Sequence, residues 1–142
     1  SVGTLRTLIP EWSAGRLHIA LDLHCPGSRG QTIYLVGSPD KTIWQAQTTF
    51  SKTLESVGDR ALPYNASANL PWGNGWNKAS SYKAGKPFFL CADELEDIKL
   101  STAIEIPYAN AGQATITQDA ARAFGVDLVE AMRQYLEQLP TQ

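Results

Sequence analysis

The sequence predicts a domain of the α/β class, in which a small sheet is flanked by helices. Segments with the residue pattern of strands alternate with two segments of helical periodicity, and this order is typical of α/β proteins. The chain has 142 residues, which is enough for one domain with its own core. Because three or four strands would leave an unpaired edge, we expect residues 1–142 to form a single domain or a fragment of one that pairs with further sheet.

The first predicted strand covers residues 17–23, where leucine and isoleucine alternate with other residues. An alternation of period two predicts a strand whose leucine face lies on the core. His24 ends this strand on the opposite face, and a loop rich in Pro, Gly and Ser follows. Residues 31–37 are β-branched and apolar, so they predict a second, more buried strand.

The first predicted helix begins at Ser38-Pro39-Asp40. Serine is a preferred N-cap residue, proline suits the first helical position, and aspartate favours the positive end of the helix dipole. The helix is expected to end at Gly58. One face of it is marked by residues three or four positions apart, which are Ile43, Gln47, Phe50, Leu54 and Val57.

The second half of the chain begins with a long irregular segment, residues 59–87, and loops of this length are usually functional or mobile. Residues 88–91 fit either a short strand or the start of a short helix. Residues 100–106 predict a strand that carries Glu105. The last helix is expected to begin at residues 117–119 and to dock on the sheet through Phe124, Leu128, Ala131 and Tyr135.

Composition narrows the classes of function. Apolar residues make up 43% of the chain and charged residues 18%, which is ordinary for a globular protein. The net charge of −2 and the lack of a basic stripe argue against a nucleic-acid partner, and no apolar run is long enough to span a membrane. Cys25 and Cys91 are expected to be reduced thiols of a cytoplasmic protein, although the sequence leaves a disulfide between them open.

His24 and Glu105 are the residues most suited to chemistry. His24 lies at the carboxyl end of a strand, where α/β proteins build their sites, and neutral imidazole is a common zinc ligand. Asp22, on the same face, would hold the ring from the outer shell. Glu105 could act as general base toward a zinc-bound water. The alternatives are a structural histidine beside a turn and a glutamate that faces solvent.

Three segments carry a resemblance to a known family: residues 22–26 (Asp-Leu-His-Cys-Pro), 75–77 (Gly-Trp-Asn) and 105–110 (Glu-Ile-Pro-Tyr-Ala-Asn). In order and spacing they resemble the C-terminal half of carboxypeptidase A-like zinc metallopeptidases, in a bacterial branch of that family. The resemblance implies a partial mixed sheet flanked by helices and hydrolysis of a peptide or amide bond. It also implies zinc as cofactor, His24 as a zinc ligand and Glu105 as the general base.

The resemblance further implies a tyrosine that covers the substrate from a loop before the glutamate, and both Tyr64 and Tyr82 are candidates. Arg29 could bind a substrate carboxylate, because guanidinium binds carboxylates in a bidentate manner. Trp76, in the same loop as Tyr82, is a further candidate for substrate contact. In each case the alternative is a side chain that only packs or faces solvent.

The chain departs from the family pattern in one respect. It has no His-x-x-Glu pair, and its only other histidine, His18, is too far along the strand to share a metal with His24. One protein ligand does not make a zinc site. We therefore expect the remaining ligands to come from an N-terminal half of the same protein or from an oligomeric partner, and the chain alone to be inactive.

Two other functions stay open. The first is a non-catalytic binding module on the same scaffold, with Trp72 and Trp76 lining a ligand or partner surface. The second is a related zinc deacylase, whose substrate would be an acylated amino acid.

Overall fold

The computed structural model describes residues 2–26, 30–57 and 61–140. This part of the chain contains four α-helices, a sheet of three strands and a short hairpin, as the sequence predicts for the α/β class. None of the helices in these ranges is long and apolar enough to cross a membrane. The elements are α1 (Val2–Ser13), β1 (Ile19–His24), β2 (Tyr34–Val36), α2 (Lys41–Ser56), α3 (Phe88–Ala92), β3 (Leu100–Glu105), β4 (Asn110–Ala111), β5 (Ala114–Thr115) and α4 (Gln118–Glu137).

The sheet is mixed, with the strand order β1-β3-β2. β3 pairs with β1 in parallel and with β2 in antiparallel orientation. All six residues of β3 are buried, as expected of a central strand with both faces covered. In the described residues β1 has a partner on one side only, and Leu23 near its end is 58% exposed. The predicted leucine face therefore reaches the core through Ile19 and Leu21, but not through Leu23.

The helices α2 and α4 cover one face of the sheet. Their predicted apolar faces are confirmed, since Phe50 and Leu54 of α2 and all four expected residues of α4 are buried in one core cluster. Phe50 and Tyr135 meet edge to face, with ring centroids 5.9 Å apart. The hydroxyl of Tyr135 donates to the backbone carbonyl of Lys99, which ties the end of α4 to the start of β3.

The opposite face of the sheet carries a second, smaller core. Val36 and Ala103 of the sheet pack there against Phe89 and Leu90 of α3. The rings of Tyr34, Trp72 and Tyr82 border this cluster. Of the irregular segment predicted for residues 59–87, the structure describes residues 61–87, which contribute Trp72 and Tyr82 to this face and include short 3₁₀ turns at Ala66–Ala68 and Ala79–Tyr82.

Several boundaries differ from the sequence prediction. The N-cap of α2 is Asp40 rather than Ser38, because the Asp40 carboxylate accepts hydrogen bonds from the backbone N–H groups of Thr42 and Ile43. Ser38 instead directs its hydroxyl to Asp93. The helix ends at Ser56, the second strand shrinks to three residues, and the third ends at Glu105.

Two elements were not predicted at all. The helix α1 contains Pro10, borders α3 across a shared cavity and has mostly exposed side chains in residues 3–12. The hairpin β4–β5 is only two residues long on each side. Residues 88–91, for which a strand and a helix were both open, belong to the helix α3.

Candidate functional site

The ends of the three strands bring His24, Glu105 and Tyr34 side by side. Glu105 of β3 has two register partners, which are His24 of β1 and Tyr34 of β2. Register partners on neighbouring strands point to the same face of a sheet. The three side chains therefore share one face at one end of the sheet, which is the face bordered by α3.

His24 is held by the carboxylate of Asp22, two residues earlier on the same face. Its Nδ1 lies 2.8 Å from Oδ1 of Asp22. A carboxylate at this position keeps the proton on Nδ1 and leaves the lone pair on Nε2, as it does for histidines that bind metals. The side chain of His24 is 55% exposed, and that of Asp22 is 18% exposed. The ring is thus oriented and remains accessible.

Glu105 is buried, with 7% of its surface exposed, and its Oε2 has no hydrogen-bond partner among the described residues. Burial raises the pKa of Glu105, His24 acts to lower this pKa, and Asp22 acts to raise it, with a net rise above the ordinary value. A buried carboxyl oxygen without a donor is costly for the fold. Such an atom is typical of a carboxyl group that binds a ligand or accepts a proton.

An aromatic wall stands beside this carboxyl group, formed by Tyr34, Trp76, Tyr82 and Trp72. The indole Nε1–H of Trp76 donates to the hydroxyl of Tyr34 at 3.4 Å. The rings of Trp76 and Tyr82 meet edge to face at 6.4 Å. Burial, with a further contribution from the charge of Glu105, raises the pKa of Tyr82 to about 12. Burial also raises the pKa of Tyr34, where the bond from Trp76 lowers it and the charge of Glu105 raises it.

Asn77 anchors the loop that carries this wall. It is fully buried, and its Nδ2 donates to the backbone carbonyls of Gly37 at 2.8 Å and Leu70 at 3.2 Å. Its Oδ1 accepts a hydrogen bond from the hydroxyl of Tyr82 at 2.9 Å. Asn77 thereby fixes Tyr82 to the end of β2.

Two of these residues were missed by sequence reasoning. Tyr34 occupies a strand position, and no motif marks it, because its importance comes from its register with Glu105. Asn77 belongs to residues 75–77, one of the three segments that carry the family resemblance, but the sequence analysis assigned no role to it. Its signal was present in part, since a buried asparagine that bonds backbone groups is a common way to order a loop.

The structure separates Tyr64 from the other expected site residues. Its ring is 6% exposed and packs in the core cluster on the opposite face of the sheet, beneath α2 and α4. Its hydroxyl donates to Oδ1 of Asn69 at 2.8 Å. The structure therefore places Tyr64 on the opposite face of the sheet from Glu105, and of the two candidate tyrosines only Tyr82 borders the cluster on the face of Glu105. Arg29 lies outside the described residues.

The donor set of the site fits part of a metal centre. In the described ranges, no group of three or more His, Cys, Asp and Glu side chains could hold a metal ion. His24 has the orientation of one ligand, through Nε2. His18 is exposed and bonds the backbone carbonyl of Asp97, beyond the other end of β1. Cys25 and Cys91 are both free thiols, the first exposed and the second buried.

No protein-family model, no curated protein and no solved structure matches this chain.

Proposed function

We propose that this chain forms the glutamate-bearing part of a hydrolase site that cleaves a peptide or amide bond, of the zinc carboxypeptidase-like kind. The observation that carries the proposal is the register pairing of His24 with Glu105 on neighbouring parallel strands. Two residues far apart in the sequence thus come together at the carboxyl end of a sheet, which is the usual place for a site in α/β proteins.

Glu105 is the proposed general base. Its raised pKa brings the carboxyl group closer to the pH at which proton transfer is most efficient. Its unpartnered Oε2 is free to accept a proton from an attacking water and to pass it on to the leaving nitrogen. Burial keeps bulk water from competing for that oxygen. The hydroxyls of Tyr34 and Tyr82, both with raised pKa values, keep their protons at neutral pH. Tyr82 donates its proton to Asn77, whereas the Tyr34 hydroxyl accepts from Trp76, so Tyr34 is the proposed hydrogen-bond donor to the substrate.

His24 is the proposed zinc ligand, and Asp22 the residue that orients it. Zinc, when bound, would supply Lewis-acid polarisation of a carbonyl and a lower pKa of a bound water. Three protein ligands are needed for a catalytic zinc, so the others have to come from an N-terminal segment of the same protein or from an oligomeric partner. The open side of β1 and the exposed Leu23 support such an addition at this edge of the sheet.

The proposed substrate is a peptide or an acylated amino acid, and a deacylase would use the same arrangement. Trp76, which is 41% exposed, is placed to contact it. The free thiols Cys25 and Cys91 support a reducing compartment such as the cytoplasm.

The second candidate is a binding module without catalysis. The observation that favours it is the aromatic wall, since stacked and partly exposed rings of tryptophan and tyrosine are common at recognition surfaces. In this case the buried carboxyl of Glu105 would accept a hydrogen bond from the ligand instead of a proton from water.

The test uses the protein in the longest form that its gene encodes. Glu105→Gln should abolish hydrolysis of N-acylated amino acids and short peptides while the zinc content, measured by atomic absorption, stays unchanged. His24→Ala should release the zinc. His18→Ala is a matched control, because this exposed ring bonds only a backbone carbonyl in the described structure, and it should change neither property.

Zinc retained by His24→Ala, or hydrolysis retained by Glu105→Gln, would contradict the assignment. A gene that encodes no His-x-x-Glu pair before this chain would count against the carboxypeptidase-like reading. Binding of peptides by a wild-type protein that hydrolyses none of them would favour the binding module.

A further inference from the structure

A cavity of about 420 Å³ lies beside Tyr82, which is one of its lining residues. This volume is within the range of small-ligand pockets. Tyr82 connects the cavity to the strand ends, because its ring contacts Trp76, whose indole donates to Tyr34, the register partner of Glu105. The cavity and the proposed reaction centre therefore share one aromatic wall.

One wall of the cavity is aromatic and ordered. The rings of Trp72 and Tyr82 stack in parallel, with centroids 5.7 Å apart and an angle of 9° between their planes. Both rings also pack against the smaller core of Val36, Phe89, Leu90 and Ala103. A stacked pair that is supported from behind offers a preformed flat surface, and binding to it requires little ordering of side chains.

The charged groups in the lining are mostly acidic. The cavity is lined by three carboxylates, those of Asp40, Asp93 and Glu94, and by one ammonium group, that of Lys86. Lys86 forms an ion pair with Glu94, so two carboxylates remain without a cationic partner in the lining. The carboxylate of Asp93 is held in place by the hydroxyls of Ser38 and Ser101.

We propose that this cavity binds the cationic side chain, a guanidinium or an amine, of the substrate on which the Glu105 site acts. The cavity and its aromatic wall locate the subsite, and the excess of carboxylates decides the charge of its occupant. Cations favour both the faces of tryptophan and tyrosine and the neighbourhood of carboxylates. The identity of the occupant as part of a substrate rests on the proposed function, whereas binding itself does not.

The test compares two ligands that differ only in charge. N-acetyl-arginine amide and N-acetyl-citrulline amide have nearly the same shape, and neither carries a charge on its backbone. We expect the arginine compound to bind about fivefold more tightly, in keeping with the strength of cation–π contacts at partly exposed sites. Binding is followed by isothermal titration calorimetry of the whole chain, without any turnover, so that the same readout serves every variant.

Three variants and one control sharpen the test. Lys86→Gln removes the competing cation and should tighten arginine binding about twofold or more, since it frees Glu94. Asp40→Asn removes a charge but keeps a side chain that caps α2, so it should weaken arginine binding and leave the fold intact. Trp72→Ala should abolish binding, while Trp12→Ala, a change at a tryptophan that is 72% exposed on α1, should have no effect.

Equal affinities for the two ligands, or weaker arginine binding by Lys86→Gln, would overturn the proposal. Selective arginine binding that persists in Glu105→Gln supports it even if the protein hydrolyses nothing. In that event the proposed hydrolase function fails and the cationic subsite stands. If the protein hydrolyses its substrates with no preference for cationic ones and does not bind the arginine compound, the cationic subsite fails and the proposed hydrolase function stands.

Discussion

Gln47 provides a quantitative test of how the sheet and α2 are joined. Its side chain is fully buried between them. The Oε1 accepts a hydrogen bond from the backbone N–H of Ser38 at 2.9 Å. The Nε2 donates to the carbonyl of Ser101 at 2.7 Å and to that of Val36 at 3.3 Å. The change to consider is Gln47→Leu, which keeps the approximate size of the side chain and removes all three bonds.

The expected loss of stability follows from the backbone groups that lose a hydrogen-bond partner when Gln47 is replaced. The carbonyl of Val36 keeps the hydrogen bond from the Thr102 hydroxyl at 3.1 Å, so it is not orphaned. The N–H of Ser38 and the carbonyl of Ser101 each lose a partner, and an unsatisfied buried group costs about 1–3 kcal/mol. Burial of the leucine side chain returns about 1–2 kcal/mol of this. We expect Gln47→Leu to lower the free energy of unfolding by about 2 kcal/mol.

The assay is urea unfolding monitored by circular dichroism at neutral pH. Gln45→Leu is the matched control, since Gln45 lies on the same helix with its side chain exposed, and it should change stability by less than about 0.5 kcal/mol. If Gln47→Leu is as stable as the wild type or more so, the bonds of Gln47 do not hold the helix to the sheet and the reasoning is refuted.

Three further predictions concern the site, the core and a helix end. Because burial raises the pKa of Glu105, the folded state binds more protons above the ordinary pKa of about 4.3, so stability falls as pH rises through the interval up to the folded-state pKa. Glu105→Gln should therefore be more stable than the wild type at pH 7 and should lose this advantage below about pH 4. The measurement is urea unfolding at a series of pH values. A stability advantage of Glu105→Gln that does not change with pH would contradict the prediction. Phe124→Ala, at a core ring that is 2% exposed, should lower the free energy of unfolding by about 3–5 kcal/mol in the same assay. Val126→Ala, at an exposed position, is the control, and an equally small loss for Phe124→Ala would show that Phe124 does not pack in the core. Asp40→Ala should cost about 1 kcal/mol through loss of the α2 N-cap, whereas Asp40→Asn should cost less, and equal losses would exclude capping as the cause.

The strongly periodic elements could be predicted from the sequence. Both long helices and the strands β1 and β3 have patterns that are repeated over several residues, and burial of one face is enough to select them. Phe124, Leu128, Ala131 and Tyr135 are buried as their spacing predicts. Elements with a weak local signal could not be predicted. The helix α1 contains Pro10, which the interior of a helix disfavours, and α3 is only five residues long.

Local capping was predicted at the wrong residue for a similar reason. Ser38 and Asp40 are both good N-cap residues, so propensity alone does not choose between them. The choice depends on Asp93, which lies far along the chain and binds the hydroxyl of Ser38. Once that bond forms, the carboxylate of Asp40 is the group left to accept from the first N–H groups of α2.

By itself, the sequence determined that the chain is α/β, which faces of its two long helices are buried, that His24 ends one strand and that Glu105 lies on another. Those properties follow from short-range periodicity and from the position of each residue within its own strand. Only the tertiary structure decided that the two residues are register partners, that Tyr34 joins them and that Tyr64 lies on the other face. The pairing order of strands depends on contacts between distant segments, and no local pattern records which strand becomes the neighbour of which.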